Sequence, residues 1–254
     1  MEPMSNLSLQ LYTIREELER DAEHALDVVA GTGITEVEPF GITQFREWLP
    51  AALAKRGLKV TTTHTDLLGD FDNSVAALKE VGGTTLVQPF FDPQKWTTKE
   101  GIQELATQLN EAARKAAPEG LKVGYHNHHF EFFTDFDGVN SYDYFVSLLD
   151  PEVVLEIDTY WVSVAGLDPV ELVQRLGDRV THLHIKDGPA PVTREFSREK
   201  HDEQPANVVL GQGSMDLDTL LGATEDKTWV VEFDKTDGDI LDEVVASIAY
   251  LQNR

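Results

Sequence analysis

The sequence has no cysteine among its 254 residues. Disulfide bonds, thiolate catalysis and zinc–cysteine sites are therefore excluded. It also has no apolar run of about 18 residues, the length that a transmembrane helix needs. Residues 1–6 contain no basic region followed by an apolar core, so we expect no secretory signal and a cytoplasmic protein.

Basic residues are scarce: 21 lysines and arginines stand against 45 acidic residues, which gives a formal charge of −24. A surface of this sign repels phosphate backbones and anionic lipid head groups. We therefore expect neither a nucleic-acid nor a membrane partner, and the easier ligands are metal cations and uncharged small molecules. Solubility is the simpler explanation of the acidity, and the sequence leaves a homo-oligomer open.

Linkers and low-complexity segments are also missing, since no part of the chain forms a proline-, glycine- or serine-rich divider. Hydrophobic residues make up 41% and charged residues 26%, which is typical of a soluble globular protein with a sizeable core. A (β/α)8 barrel uses about 250 residues. One barrel domain over residues 1–254 would therefore account for the whole chain.

Eight short apolar runs alternate with amphipathic segments along the chain. Each run has the length of a buried strand. The runs cover residues 7–11, 36–39, 59–63, 85–88, 121–125, 153–157, 180–185 and 229–233. Helical patterns lie between most of them, at residues 21–31, 99–117, 214–221 and 238–251, and the pattern at 214–221 begins with Ser214 as a candidate N-cap.

This alternation predicts parallel strands joined by helical crossovers. Eight such units favour a closed barrel over an open doubly wound sheet. The open sheet often carries a glycine-rich phosphate turn after its first strand, whereas the residues in that place here are Tyr12-Thr13-Ile14-Arg15. The predicted fold is a single (β/α)8 TIM barrel of the α/β class.

The longest irregular stretch covers residues 187–213, between the seventh and eighth predicted strands. A loop of that length inside a compact domain is usually functional or mobile. In a barrel it would lie over the carboxyl ends of the strands, where active sites are built. A lid is our hypothesis, and a disordered insertion is the alternative.

Ionisable side chains stand where four consecutive predicted strands end. The fifth strand runs into His126 and His128, the sixth into Asp158, the seventh into His184 and the eighth into Glu232. Burying a charge is costly unless the charge is paired or bound to a metal. Because side chains alternate along a strand, these residues can converge on one face at the barrel mouth. A shared cation explains all four strand ends.

Each of these residues also has a simpler explanation. A single histidine in an apolar strand is more often a hydrogen-bonded core residue than a metal ligand, and this applies to His184 taken alone. The combination with Asp158, Glu232 and the fifth-strand cluster favours a metal site. The other simple explanations are a surface or supporting place for His129, helix caps or loop positions for Asp187 and Asp234, a lysine partner for Glu156, and core packing for Tyr160 and Trp161.

Eight segments carry a family resemblance. They are SLQLYTIR (8–15), EVEPFG (36–41), THTD (63–66), YHNHHFEF (125–132), EIDTYW (156–161), HLHIKDG (182–188), LGQGSMD (210–216) and VVEFD (230–234). In this order and spacing they resemble the sugar phosphate isomerase/epimerase family of xylose-isomerase-like TIM barrels. The fifth-strand motif is fairly specific, and the similarity covers nearly the whole chain.

The resemblance implies one divalent metal ion, held by one residue from each of strands five to eight. Asp158, His184 and Glu232 match the last three positions. The fifth-strand position holds His126 where relatives usually have glutamate, so either His126 is the fourth ligand or Glu131 reaches back to replace it. Imidazole and carboxylate ligands suit manganese, cobalt, magnesium, iron or zinc, and we favour manganese.

The resemblance also implies an isomerase or epimerase that removes a proton beside the carbonyl of a keto sugar, through an enediolate. His128 or Glu131 would be the base, and Lys186 would stabilise the oxyanion or move a proton. His64 and Glu38 would bind sugar hydroxyls. Tyr160 and Trp161 are second choices, for stacking on the sugar ring.

Three alternatives share this barrel. The first is a lyase or dehydratase that eliminates a β-substituent from a 3-keto sugar or keto-glycoside. The second is a phosphodiesterase of the abasic-site endonuclease type, which the charge of −24 argues against because such an enzyme needs basic residues facing DNA. The third is a non-catalytic sugar-binding barrel, since a fold alone does not establish an activity.

Overall fold

Eight parallel strands form the centre of the molecule in the computed structural model, which describes residues 6–195 and 204–254. In chain order they are β1 Leu7–Gln10, β2 Glu36–Glu38, β3 Thr62–His64, β4 Thr85–Gln88, β5 Lys122–His126, β6 Val154–Asp158, β7 Val180–Ile185 and β8 Thr228–Val231. The predicted α/β TIM barrel is confirmed.

The barrel is nearly closed. Hydrogen-bonded neighbours follow the order β2-β1-β8-β7-β6-β5-β4-β3. Between β2 and β3 the seam is held by two isolated parallel bridges, Glu36 with Lys59 and Phe40 with His64. The backbone N–H of His64 also donates to the carbonyl of Pro39 at 2.8 Å. The carboxyl ends of all eight strands therefore meet at one rim.

Helices surround the strands. Those that the described residues form are α1 Arg15–Gly31, α2 Leu49–Arg56, α3 Phe71–Glu80, α4 Lys99–Ala116, α5 Ser141–Leu148, α6 Thr159–Val164, α7 Pro169–Leu176, α8 Leu217–Gly222 and α9 Ile240–Gln252. Short 3-10 turns cover Leu11–Ile14, Pro93–Thr97, Ala117–Glu119, Phe130–Phe132 and Gly177–Arg179. An antiparallel hairpin, Asp135–Phe136 with Val139–Asn140, precedes α5. In the part of the chain that the structure describes, no helix combines the length and apolarity needed to cross a membrane.

Polar and apolar side chains alternate along the strands and face opposite sides of the barrel. The apolar set packs outward with the helices and includes Leu9, Val37, Leu86, Val123, Leu155, Ile157, Leu183, Ile185 and Val231. The polar set meets inside the barrel and includes Gln10, Glu38, Thr62, His64, His126, Glu156, Asp158 and His184. The interior is therefore available for polar chemistry.

The predicted helix at residues 21–31 is the second half of α1. The helix begins at Arg15, and Asp21 interrupts it with extended backbone angles (φ −158°, ψ 85°). Asp21 Oδ1 accepts a hydrogen bond from the His24 N–H at 3.1 Å. The residue at which the prediction began this helix therefore caps its second half.

The prediction of Ser214 as an N-cap is wrong. Helix α8 has Asp216 as its N-cap, and the Asp216 side chain accepts a hydrogen bond from the Thr219 N–H. The Ser214 hydroxyl instead donates to the carbonyl of Gly188 at 2.8 Å, because this serine joins two parts of a loop. The third strand is also shifted, from the predicted residues 59–63 to Thr62–His64.

Phe145, on α5, anchors an aromatic cluster against the barrel wall. Its ring is fully buried and lies 5.1 Å from the rings of both Trp96 and Tyr125. Phe145→Ala leaves a cavity, so the free energy of unfolding in a denaturant titration should fall by about 3 to 5 kcal/mol. The control Val245→Ala, at a position that is 39% exposed, should change it by less than about 0.5 kcal/mol. Equal effects of the two changes would contradict this packing.

Candidate metal centre and active site

A cavity of about 340 Å³ opens at the carboxyl rim of the barrel. Ionisable residues from both the strand ends and the loops surround it. The lining residues are Tyr12, Phe40, Gly41, His64, Thr65, Asp66, Pro89, Phe90, His126, His128, Lys186, Glu232 and Asp234. This is the rim where barrels of this type place their reactive groups.

Four side chains that the sequence nominated as ligands come together beside this cavity. His126, Asp158, His184 and Glu232 each offer one donor atom, and these atoms all lie within 4.8 Å of one another. The strand register explains the meeting, because Asp158 and His184 are directly paired across β6 and β7. All four are buried, with exposed fractions of 2%, 0%, 0% and 5% respectively.

The donor set fits a divalent transition-metal ion. Two imidazoles and two carboxylates are ligands that manganese, iron, cobalt and zinc accept. Their burial adds to the argument, since buried carboxylates are stabilised by a bound cation. The cluster is therefore chemically able to hold one ion, and its donor atoms do not select among these metals.

Lys186 supplies a positive charge next to the cluster. Its Nζ lies 2.9 Å from Asp158 Oδ2 and 2.8 Å from both Glu232 Oε2 and Asp234 Oδ2. Burial alone would lower the pKa of Lys186, but these three carboxylates outweigh burial and hold it well above its usual range. Lys186 is therefore a permanent cation at this site.

The pKa values of the two acidic members of the cluster are shifted in opposite directions. Burial raises the pKa of Asp158, and Lys186 offsets this only in part. Burial would also raise the pKa of Glu232, but Lys186 and His184 outweigh it and keep that pKa well below its usual range. Buried carboxylates with shifted pKa values beside a cavity are typical of functional sites.

A second polar layer lies beneath the cluster. Glu38 is fully buried and accepts hydrogen bonds from Gln10 Nε2 at 2.7 Å and from the Thr62 hydroxyl. Its carboxylate also contacts His184 Nε2 at 2.8 Å and does not line the cavity. The structure thus places Glu38 under a candidate ligand and outside the cavity lining, because its side chain points into the barrel. Its predicted contact with sugar hydroxyls stays a prediction.

Glu156 contacts three histidine rings, and the suggestion of a lysine partner for it is wrong. Its Oε2 lies 2.5 Å from His64 Nε2 and 3.3 Å from both His126 Nδ1 and His184 Nε2. His64 nevertheless lines the cavity. Its predicted contact with substrate is therefore compatible with the geometry, and it stays a prediction.

His128 and Glu131 occupy different places. His128 lines the cavity and its side chain is 19% exposed, whereas Glu131 is fully buried. Glu131 accepts hydrogen bonds from the backbone N–H of His128 at 2.9 Å and from the Tyr125 hydroxyl at 3.1 Å. The structure therefore does not bring Glu131 into the four-residue cluster, since both of its oxygens hold the loop after β5.

The predicted stacking residues lie under the surface. Tyr160 and Trp161, in the first turn of α6, are 1% and 2% exposed and do not line the cavity. The Trp161 ring stacks on His129 with centroids 4.7 Å apart, which also places His129 in a buried supporting position. The backbone N–H of Ala190 donates to the Tyr160 hydroxyl at 3.2 Å. The rings of Tyr160 and Trp161 are therefore both used in contacts within the protein.

Other aromatic rings reach the cavity, and the sequence reasoning missed them. Tyr12, Phe40 and Phe90 line it, and Tyr12 and Phe90 are 39% and 44% exposed. The sequence contained a signal for these three residues, because each follows the carboxyl end of a strand, β1, β2 or β4. An exposed aromatic residue at that rim is a better candidate for a sugar contact than one at the start of a helix.

Asp187 fastens both ends of the loop that was predicted as a lid. Its buried carboxylate accepts N–H hydrogen bonds from Gly188 at 2.8 Å, Gly211 and Gly213 at 2.9 Å, and Met215 at 3.1 Å. A Cβ on Gly213 would lie 2.1 Å from Asp187 Oδ1, which explains the glycine. Asp187 is thus neither a helix cap nor solvated.

Residues 196–203 of the predicted lid lie outside the described residues, and the lid stays a prediction.

The same loop reaches the charged site through Asn207. Asn207 Oδ1 accepts a hydrogen bond from the Asp234 N–H at 2.8 Å, and Asn207 Nδ2 donates to the Asp187 carbonyl at 3.4 Å. Asp234 in turn pairs with Lys186. Asp234 is therefore part of the site, and neither a cap nor a freely solvated residue.

A barrel with a histidine–carboxylate cluster at its carboxyl rim belongs to the class of TIM barrels that are able to hold a metal ion at the mouth. The chain belongs to the xylose isomerase-like TIM barrel family, whose model matches residues 51–253. The resemblance seen in the sequence is confirmed by this match.

The chain also resembles named proteins in sequence. The chain is 24% identical over 226 residues to inosose dehydratase of Clostridium tetani, which covers 82% of this chain and 75% of the relative. It is 30% identical over 170 residues to inosose dehydratase of Geobacillus kaustophilus, with 63% of this chain and 54% of the relative covered. The chain thus spans about half to three quarters of these relatives.

Solved structures share the fold over nearly the whole chain. A sugar phosphate isomerase/epimerase from Parabacteroides distasonis superposes with a TM-score of 0.78 at 21% identity, covering 98% of this chain and 96% of the other. An IOLI protein with a bound zinc atom superposes with a TM-score of 0.72 at 17% identity, with the same coverage. At these identities the likeness concerns the fold.

The first prediction for the site concerns metal content. Asp158→Ala and His184→Ala each remove one candidate donor, so purified and manganese-loaded protein should lose its bound metal in elemental analysis. Asp66→Ala is the control, because Asp66 lines the cavity without belonging to the cluster. Circular dichroism checks the fold of each variant. Unchanged metal content would remove the altered residue from the ligand set.

The second prediction concerns the loop clamp. Asp187→Asn replaces one acceptor oxygen with a donor group that faces backbone N–H groups, so the free energy of unfolding should fall by about 1.5 to 3 kcal/mol. Limited proteolysis within residues 188–213 should also become faster. The control Asp226→Asn alters an exposed carboxylate that pairs only with its neighbour Lys227 among the ion pairs of the described residues. Equal stability of the two variants would refute the clamp.

Proposed function

We propose that this protein is a divalent-metal-dependent enzyme that removes a proton from the carbon beside the carbonyl of a keto sugar or keto cyclitol. We further propose that loss of a β-hydroxyl as water follows, which makes the enzyme a lyase. The names of the curated relatives support this order of preference, because those cited are inosose dehydratases. The isomerase or epimerase outcome that the sequence resemblance implied is the second candidate.

One observation carries the proposal: the His128 imidazole faces the cavity that two of the candidate ligands, His126 and Glu232, also line, and His128 is not itself one of the candidate ligands. The His128 side chain is 19% exposed, while those of His126 and His184 are 3% and 0% exposed. The ring centroids of His126 and His128 are 5.3 Å apart. A base in this place can reach a substrate carbon that is held next to the ion.

The metal ion would be held by His126, Asp158, His184 and Glu232, and it would supply Lewis-acid polarisation of the substrate carbonyl. Every other task falls to the protein's own side chains. This division fits the geometry, since the four candidate ligands are buried and the remaining cavity residues are left to contact the substrate.

His128 is positioned by its own loop. Glu131 accepts the His128 backbone N–H at 2.9 Å and its Oε1 lies 3.7 Å from His128 Nδ1. Burial, with a further contribution from Glu131, raises the pKa of Tyr125 well above its usual range, so Tyr125 stays a hydrogen-bond donor to that carboxylate. We therefore assign Glu131 a positioning role, in place of the predicted role as base or ligand.

Lys186 serves as a fixed positive charge. A general acid works best when its pKa lies near the working pH, and the pKa of Lys186 is held well above its ordinary value. It is thus suited to stabilising negative charge on the substrate oxygen. Among the two proposed roles, oxyanion stabilisation is preferred over proton transfer.

In the proposed elimination a single group can move both protons. His128 accepts the proton from the carbon, and the electrons of that C–H bond move toward the carbonyl to form an enediolate. The electrons then return, the bond to the β-hydroxyl breaks, and protonated His128 gives its proton to the departing oxygen. The products are an unsaturated ketone and water, and His128 is restored.

An epimerase would need a second proton donor on the opposite face of the substrate. His64 is the histidine that supports this candidate, because it also lines the cavity. It lies close to Glu156 and Glu38, with its Nε2 3.3 Å from Glu38 Oε1. Burial would lower the pKa of His64, but these two carboxylates outweigh burial and raise it.

The lining of the cavity favours a substrate without phosphate. Among the residues that the structure describes, Lys186 is the one lysine or arginine in this lining, and three carboxylates, those of Asp158, Glu232 and Asp234, already surround its ammonium group. Asp66 adds further negative charge to the same wall. A phosphate group would meet repulsion here and would lack a free cation.

A direct experiment separates the outcomes. The manganese-loaded protein is incubated in heavy water with a panel of keto sugars and keto cyclitols, and products are followed by mass spectrometry and by ultraviolet absorbance. Loss of water with a new conjugated-ketone absorbance supports the lyase, and exchange with inversion supports the epimerase. Bound metal with neither exchange nor elimination on the whole panel would favour a non-catalytic barrel.

His128→Ala is the decisive variant. It should retain the metal but slow deuterium exchange by about 10²- to 10⁴-fold, because the proton then lacks its acceptor. His24→Ala is the control, since His24 lies on α1 away from the cavity lining. Near-normal exchange in the His128 variant would disqualify this residue as the base.

A further inference from the structure

The two histidines of the candidate metal centre present different nitrogen atoms to it. His126 turns its Nε2 toward Asp158 Oδ2, at 3.9 Å, and its Nδ1 toward Glu156 Oε2, at 3.3 Å. His184 is turned the other way: its Nδ1 lies 2.5 Å from Glu232 Oε2, and its Nε2 lies 3.3 Å from Glu156 Oε2. One carboxylate oxygen of Glu156 therefore faces both rings.

A neutral imidazole has one protonated nitrogen and one nitrogen with a free lone pair. The nitrogen that faces a carboxylate outside the ligand set keeps the proton, and the opposite nitrogen, which faces a carboxylate of the ligand set, is left to bind a metal. On His126 that leaves Nε2, and on His184 it leaves Nδ1. The carboxylates beneath the cluster thus determine which nitrogen of each ring binds the metal.

We propose that Glu156 is the positioning residue of the metal centre. It fixes the tautomer of His126 and shares this role with Glu38 at His184 Nε2, so that His126 binds a divalent ion through Nε2 and His184 binds the same ion through Nδ1. This inference rests on the proposed metal-dependent function. It also gives a physical reason why a histidine serves at the end of β5, because the carboxylate charge beneath it increases the basicity of the ring.

Among the described residues, Glu38 contacts only one of the two candidate ligand rings, His184, whereas Glu156 faces both. Two of the Glu38 contacts, with Gln10 and Thr62, hold the carboxylate in the barrel interior. It reaches His184 Nε2 at 2.8 Å and is paired with His64, and no contact with His126 is formed among the described residues. Glu156 is the carboxylate that is within 3.3 Å of all three rings.

The second cluster of donor atoms, beneath the first, is less suited to holding an ion of its own. His64, His126, Glu156 and His184 also offer donor atoms within 4.8 Å of one another. An ion there would use the ring nitrogens of His126 and His184 that face Glu156, and both rings would then have to lose their last proton to bridge two metals. One ion per chain, with Glu156 as a hydrogen-bond acceptor, avoids this cost.

Histidine NMR of the wild-type protein tests the proposal directly. The chain is labelled with ¹⁵N-histidine and loaded with zinc, which is diamagnetic, and long-range ¹H–¹⁵N spectra report the state of each ring nitrogen. We expect His126 with metal on Nε2 and a proton on Nδ1, and His184 with metal on Nδ1 and a proton on Nε2. Two rings bound through the same type of nitrogen would overturn the proposal.

Metal affinity provides the second measurement. In chelator competition with zinc or manganese, Glu156→Gln should bind about 10- to 100-fold more weakly than wild type, the usual effect of losing a ligand's supporting carboxylate. Glu36→Gln is the matched control, because Glu36 is a carboxylate on β2 that lies outside both histidine clusters, and its affinity should stay within about threefold of wild type. Glu156→Asp should recover part of the affinity.

The remaining outcomes are also decisive. Equal affinity of Glu156→Gln and wild type, or two ions bound per wild-type chain, would overturn the positioning role while leaving a metal enzyme in place. Absence of metal binding by the wild-type chain would instead overturn the proposed function, and this inference with it. Because the NMR measurement needs only wild-type protein, the proposal stays testable if Glu156→Gln does not fold.

Discussion

The cost of keeping several charges inside the barrel governs this structure. Carboxylates on β2, β6 and just after β8 are withdrawn from water within a few ångströms of one another. Charges in such a place must be compensated by opposite charges and hydrogen bonds, or the fold loses stability. The compensation comes from Lys186 above and from the histidine rings within. A divalent ion fits the same requirement, which is why the site and the barrel interior have to be understood together.

The fold meets this cost by keeping its hydrophobic stabilisation elsewhere. Leu155 and Ile157 point outward from β6 to the helices, while Glu156 and Asp158 on the same strand point inward. Many barrels of this kind fill their interior with branched apolar side chains. Here the outer layer supplies the apolar contacts, so the inner layer can carry polar networks that orient a small number of reactive groups.

Periodicity and strand-end chemistry made much of this predictable. The eight strands follow from short apolar runs, and the meeting of Asp158 with His184 follows from their positions at the ends of adjacent parallel strands. The places of Glu38 and Tyr160 did not follow, because alternation tells which side of a strand a residue faces but not how deep in the barrel it lies. The clamp at Asp187 depends on backbone N–H groups more than twenty residues away in the chain, and local patterns do not contain such contacts.

That clamp has a consequence for how such a protein can change over time. Since the Asp187 carboxylate holds Gly188 and Gly211 and Asn207 holds Asp234, the part of the loop before Asn207 can be lengthened or shortened with little disturbance to the candidate metal centre. Closing a longer loop between fixed ends adds only a small entropic cost, about 0.6 kcal/mol for each doubling of its length. Insertion and deletion at this one place can therefore reshape the entrance to the cavity, with the candidate metal centre left unchanged.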